Sequence, residues 1–150
     1  MPASDTSTAS EARRIARFLD LPRWSEADDL SLVNRVLKGL PAKSVTTVVR
    51  RIDPEGRFVQ ETDLIPKSTW HRRKGQALTK DQSEKIWALS KLFLEVLRLY
   101  HDDSDKAARF LMQPHPLLGG RTPISLAKES IAGADLVMKL LAQADAGVAA

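Results

Sequence analysis

"LTKDQSEKIWALSKLFLEVLRLYH", residues 78–101, decides how the whole chain is read. Ile86, Leu89, Phe93, Val96, Leu97 and Tyr100 recur at three- and four-residue steps, the period of one helical face. Thr79 and Gln82 stand at the spacing of a capping box, in which a hydroxyl and an amide each satisfy one exposed backbone N–H at a helix start. The pattern predicts a helix over about residues 80–101. Trp87, Leu92, Leu94 and Leu99 fall outside the stripe, so this helix needs contacts on more than one side. It reads as a central core helix, an interface between subunits, or both.

Working upstream, Arg57–Gln76 divides at Ile65-Pro66 into two short predicted helices, "RFVQETDL" and "KSTWHRRKGQ", the minimum for a helix-turn-helix. "DPEG" before them is a turn by composition. "PAKSVTTVVRRID" has β-branched residues that suit a strand as well as a helix; Pro41 at its first turn and helices on both sides favour helix. "SEADDLSLVNRVLKGLP" predicts a helix starting near Ser25, with Leu30, Val33, Leu37 and Leu40 as its apolar face and Gly39 at its end. "EARRIARFLDLP" sets Ile15, Phe18 and Leu19 on one face, to pack on the body or against a second copy. Residues 1–10 read as a flexible tail.

Downstream, Ser104 and the acids of "HDDSD" suit a helix N-terminus, and Ala107, Phe110 and Leu111 give a short apolar face that Pro114 ends. Thr122 and Pro123 match the N-cap and first residue of the next helix, with a break predicted at Gly133. Leu136, Val137, Leu140, Leu141 and Ala144 make the last helix, which Gly147 stops. An all-α protein follows, divided into a tail at 1–10, an N-terminal region at 11–78 and a C-terminal domain at 79–150.

A chain of 150 residues, 43% hydrophobic and 28% charged, is globular in composition. The absence of cysteine excludes disulfides and thiolate zinc sites. No run approaches the roughly 18 apolar residues of a membrane span, and "MPASDTSTAS" has no secretion-signal pattern, so a cytoplasmic protein without membrane contact is expected. No catalytic or cofactor site is expected either. His71, His101 and His115 lack metal-ligand spacing, and Asp102, Asp103 and Asp105 cluster where the helix dipole accounts for them. "GGRTP" lacks the phosphate-loop pattern.

The net charge is +4, and its densest basic cluster lies in "KSTWHRRK". With Trp70 and Ile65 turned to the core, Lys67, Ser68, His71 and Arg72 fall near the opposite face, where they could enter a major groove. A solvated basic helix explains the same residues. "PHPLLGGRTP", residues 114–123, is a corner in which Pro114, Pro116 and Pro123 restrict the backbone and Gly119 and Gly120 allow a turn closed to other residues.

The segments "LIPKSTWHRRKGQALTKDQSEKIWALSKLF", "DKAARFLMQPHPLLGGRTPISLA" and "GADLVMKLLAQADAGV", in that order, resemble the Xre/MbcA/ParS antitoxin family, as does the earlier "VLKGLP". The resemblance covers roughly residues 28–150 and is most specific at P-x-P-x-L-G-G-R-T-P. It implies a Cro-like helix-turn-helix region ahead of a helical toxin-binding domain. It further implies an antitoxin, not an enzyme, that neutralises a RES-domain, NAD-degrading toxin by direct contact and represses their operon as a homodimer on operator DNA. Lys67, Ser68, His71 and Arg72 would then face DNA, while His115, Gly119, Gly120 and Arg121 and the terminal Val148, Ala149 and Ala150 would meet the toxin. Two roles fit Arg121: reaching a toxin pocket, or tying the corner to helix carbonyls. Similarly, the terminal residues either enter the toxin's active-site mouth or form a frayed end. Helix-turn-helix sequences commonly have glycine where this chain has Leu64, which resists positive φ. A stand-alone helix-turn-helix regulator whose C-terminal domain binds a ligand or itself is the alternative, and the dimer contact could lie on residues 11–21 or 80–101.

Overall fold

The computed structural model describes residues 10–73 and 75–145, and the protein is all-α. Helix α1 (Glu11–Phe18) starts on the Ser10 hydroxyl, which accepts the Arg13 N–H, and buries Ile15, Ala16 and Phe18. It packs on the body: Phe18 and Phe93 ring centroids lie 5.8 Å apart, and Lys91 pairs with Glu11 at 3.4 Å. The chain then makes a short 3₁₀ turn, Trp24–Glu26.

Helix α2 (Asp29–Lys38) begins four residues later than Ser25 because the Asp28 carboxylate, at 2.7 Å from the Ser31 N–H, is the cap. Its buried side differs from the expected one. Leu32 and Val36 face the core, while Leu30, Val33 and Leu37 are exposed. Leu40, just past the helix, is buried. Gly39 ends α2 at φ +114, and a Cβ there would lie 2.1 Å from the Leu78 carbonyl oxygen, so only glycine fits. Beside it the chain is clasped to residues 76–78, with Leu78 N–H on Leu40 O at 2.8 Å and Ala42 N–H on Gln76 O at 3.2 Å.

Helix α3 (Lys43–Ile52) resolves the strand-or-helix ambiguity of residues 41–53. Val45, Val48, Val49 and Ile52 are all buried, a helical spacing that puts their branched side chains into the core. Asp53 organises the following loop: its buried carboxylate accepts the Phe58 N–H at 2.7 Å and the Val59 N–H at 3.0 Å. Those bonds hold the chain out of helix until α4 (Glu61–Leu64), so the helix expected from Arg57 is only its last turn. Helix α5 (Lys67–Arg73) follows Ile65, which is extended at φ −133. The short connection thus turns without positive φ at Leu64, which is how leucine is accommodated there.

Helix α6 (Lys80–Leu99) has the Thr79–Gln82 capping box, with N···O distances of 3.0 and 3.1 Å. It packs against α1, α2, α3 and α4. It also packs against α7 (Ser104–Met112), α8 (Pro123–Glu129) and α9 (Ile131–Asp145). Leu92, outside the expected stripe, is buried along with Ile86, Leu89, Phe93 and Val96, because neighbours surround the helix. The buried apolar residues form one cluster running from Ile15 to Leu141.

The break between the last two helices is at Ser130, which is extended, and not at Gly133. Gly133 lies inside α9 and serves close approach instead: a Cβ there would sit 2.1 Å from the Leu126 carbonyl oxygen of α8. The expected stop at Gly147 and the first nine residues of the tail assigned to 1–10 lie outside the described residues, as do Val148, Ala149 and Ala150, while Ser10, the last residue of that tail, caps α1. Among the described residues no helix is long and apolar enough to cross a membrane.

Candidate functional site

Two surfaces gather the residues singled out from the sequence. On α5, Lys67, Ser68, His71 and Arg72 are exposed, while Trp70 and the preceding Ile65 are buried. The helix therefore rests on its indole and turns basic and hydroxyl groups to solvent. Helix α4 below it is held by the remainder of the molecule. Gln60 N–H donates to the Asp63 carboxylate at 2.9 Å, and the Lys85 ammonium of α6 donates to the Leu64 carbonyl at 3.2 Å, at the negative end of α4. Burial pushes the Lys85 amine below its ordinary value, while the Asp63 and Glu129 charges pull the other way. Lys128 of α8 reaches Asp63 at 3.6 Å.

The second surface is the corner between α7 and α8. Helix α7 opens on Asp103, whose carboxylate accepts the Asp105 and Lys106 N–H groups, both at 3.1 Å, which gives that acid its capping role. After Pro114 the backbone closes on itself around His115. The His115 N–H donates to the Arg121 carbonyl at 3.1 Å, and its carbonyl accepts from Leu118 at 2.9 Å and Gly120 at 3.1 Å. Its Nδ1 accepts the Leu117 N–H at 3.2 Å. A single 3₁₀ turn, Pro116–Leu118, leads to Gly119 at φ 66 and Gly120 at φ 80. A Cβ at either glycine would meet nothing within 4 Å, so conformation rather than crowding requires them. Thr122 then caps α8, its hydroxyl accepting the Ser125 N–H at 3.2 Å, with Pro123 at the first helical position.

The structure brings His115, Gly119, Gly120 and Arg121 together in this one closed loop. Arg121 pairs with the Glu129 carboxylate at the far end of α8 rather than with helix carbonyls, and both side chains are about half exposed. Sequence reasoning missed Leu117. It stands at the tip of the corner, 66% exposed, whereas its neighbour Leu118 is buried. Nothing in the pair "LL" says which faces inward; only the 3₁₀ turn, set by Pro116 and closed by Gly119, decides it.

Among the described residues no group of three histidine or acidic side chains is placed to hold a metal ion. The corner offers fixed backbone, one apolar tip and one half-exposed guanidinium paired with Glu129. Residues 96–147, from the last turn of α6 through α9, match the family model described as antitoxin Xre/MbcA/ParS C-terminal toxin-binding domain. No curated protein matches the chain significantly.

Proposed function

We propose that this chain, whose residues 96–147 match the family model of the Xre/MbcA/ParS antitoxin C-terminal toxin-binding domain, neutralises a RES-domain, NAD-degrading toxin by direct contact and represses its own operon through α5. The observation that carries the first half is that the matched segment contains a prestiffened corner with an exposed Leu117. Its loop is already closed by the hydrogen bonds around His115, so docking freezes little additional backbone. Leu117 supplies the apolar anchor, and Arg121, in the same loop, exchanges its Glu129 partner for an acidic group at the toxin's substrate entrance. The corner occludes that entrance, helped by Val148, Ala149 and Ala150 at the chain end. No residue of this chain performs a reaction.

The second half is supported by the exposed set Lys67, Ser68, His71 and Arg72 on a short helix seated by Trp70. Arg72 can donate two hydrogen bonds to a guanine edge, and Lys67 can neutralise phosphate. Two copies are needed to address successive major grooves about 34 Å apart. Operator affinity then falls steeply with salt, as released counterions drive the binding. Affinity unchanged between about 50 and 200 mM salt contradicts this basic face.

Expressing the neighbouring gene product with and without this chain, and measuring cellular NAD, tests the toxin reading. Depletion that the chain reverses is the expected result. Absence of any complex between the two proteins leaves the stand-alone regulator.

A further inference from the structure

A cleft separate from both surfaces runs along α1, between it and its neighbours α3 and α6. Its first half, about 540 Å³, is lined by Arg14, Arg17, Asp20, Trp24 and Leu94 together with Arg51 of α3. Three guanidiniums face one carboxylate there, an excess of two positive charges. The cleft continues past Arg14 and Leu94 into a second half of about 570 Å³ between α1 and α6. In that half the charges are paired, Lys91 with Glu11 at 3.4 Å and Arg98 with Glu95 at 2.7 Å, and Leu94 and Leu97 supply apolar surface. Volumes of this size are those of small-molecule sites. We propose that the cleft binds a nucleoside monophosphate, its phosphate at Arg17 and Arg51 and its base along Leu94 and Leu97.

Arg17 and Arg51 carry the phosphate assignment. Neither has a carboxylate within ion-pair distance among the described residues; each guanidinium is held over a ring instead, Arg17 at 5.6 Å from the Trp24 centroid and Arg51 at 5.4 Å from that of Phe18. A guanidinium held by its face keeps its N–H edges for the oxygens of a phosphate. Both residues stand in the last turns of their helices, where a cation also suits the dipole. The dipole does not account for their convergence on one cavity from two helices. Arginines nearby that serve carbonyls bond them directly, Arg13 to Ala27 at 3.1 Å and Arg35 to Pro22.

Backbone conformation picks out the same cleft. Among the described residues the non-glycine positions with positive φ are Asp20, Arg23, His101 and Asp102. Asp20, His101 and Asp102 line the cleft, and Arg23 directly precedes Trp24. Such conformations persist where the surroundings over-determine them, and they collect at ligand sites. A phosphate dianion matches the two excess charges of the first half. The second half, with its paired charges around Leu94 and Leu97 and with His101 also lining it, suits an uncharged flat ring with polar edges, not a second phosphate or a hydrocarbon chain. Neither the exposed set on α5 nor the corner contributes to the cleft, so the inference goes beyond the toxin and operator reading and stands or falls without it.

Calorimetric titration of the full chain with adenosine monophosphate (AMP) tests the proposal. Saturable binding is expected, with inorganic phosphate and adenosine each weaker by about tenfold or more. R17A/R51A should lose at least about tenfold in AMP affinity, while R50A, exposed on α3 outside the cleft, keeps it. Should the double variant melt early, R51Q, which keeps the side-chain stem against Phe18, gives the same reading in a folded chain. No saturable heat up to ~5 mM AMP overturns the proposal. Unchanged AMP affinity in these variants puts the nucleotide elsewhere and defeats it. Inorganic phosphate that binds as tightly as AMP means that the second half contributes nothing, and the nucleotide assignment is wrong. A random-sequence duplex that binds the natural chain but not R17A/R51A, with AMP inert, gives the arginines to a DNA backbone and likewise overturns it.

Discussion

At the scale of single residues, two positions show how much structure rests on one atom. Gly133 sits where a Cβ would lie 2.1 Å from the Leu126 carbonyl oxygen, a backbone atom that can move only if α8 and α9 separate. Gly133→Ala should therefore destabilise by about 1–3 kcal/mol, despite alanine's better helix propensity. A lowered Tm in thermal melts checks this, and a raised one shows that α8 and α9 can part freely. Asp53 is the second. Burial alone would raise its carboxyl; the N–H groups of Phe58, Val59 and Arg57, with the nearby Arg57 charge, win and hold it below the ordinary value. A carboxyl lowered on folding contributes stability that is present above its unfolded pKa and disappears as pH falls through the folded one. Asp53→Asn should accordingly cost about 1–3 kcal/mol at pH 7. That gap should close as pH drops below about 4, and urea titrations of both proteins at several pH values measure it. A gap that persists in acid means that Asp53 acts by shape and not by charge.

The elements show why some of the fold could be read in advance and some could not. The long helix α6 was legible because Thr79, Gln82 and its apolar period all say the same thing, and local signals that agree seldom mislead. The corner was legible because Pro116, Gly119 and Thr122 each act on their own backbone. Helix α2 was misread for the opposite reason. Leu30, Val33 and Leu37 make as good a stripe as Leu32 and Val36, and only the positions of α1 and α6 determine which pair of faces is covered. Residues 57–60 read as helical by pattern, but the Asp53 carboxylate, five and six places upstream, takes the N–H groups of Phe58 and Val59. The same limit hid Leu117. If the tip is the toxin anchor, Leu117→Asp should weaken toxin binding by about 2 kcal/mol, roughly thirty-fold, while Tm stays put because the side chain touches little of its own molecule. Calorimetric titration of the toxin gives the affinity, and an unchanged value removes Leu117 from the interface.

Across the whole molecule, α6 joins what the sequence divides. The proposed DNA-facing region and the proposed toxin-binding segment meet on its surface, and the buried cluster passes from Ile15 on α1 to Leu141 on α9 without interruption. Polar links follow the same route: Lys85 on α6 holds the Leu64 carbonyl of α4, and Lys128 on α8 reaches Asp63. A boundary near residue 78 can separate two functions, but it does not separate two cores, since Leu40 and Ile86 belong to the same one. Cooperativity should therefore be global. At fixed protein concentration, urea unfolding followed by tryptophan fluorescence and by far-ultraviolet circular dichroism should give coincident single transitions. Ile15→Ala is the sharper test. Ile15 is fully buried on α1, distant in sequence from the matched segment, and its truncation should cost about 2–5 kcal/mol. With one core, hydrogen exchange in α9 must accelerate by the corresponding factor, because the amides at Val137 and Leu141 open only when the whole cluster opens. If α9 instead keeps its protection while α1 loses it, the C-terminal half folds alone and α6 is a linker rather than a shared core.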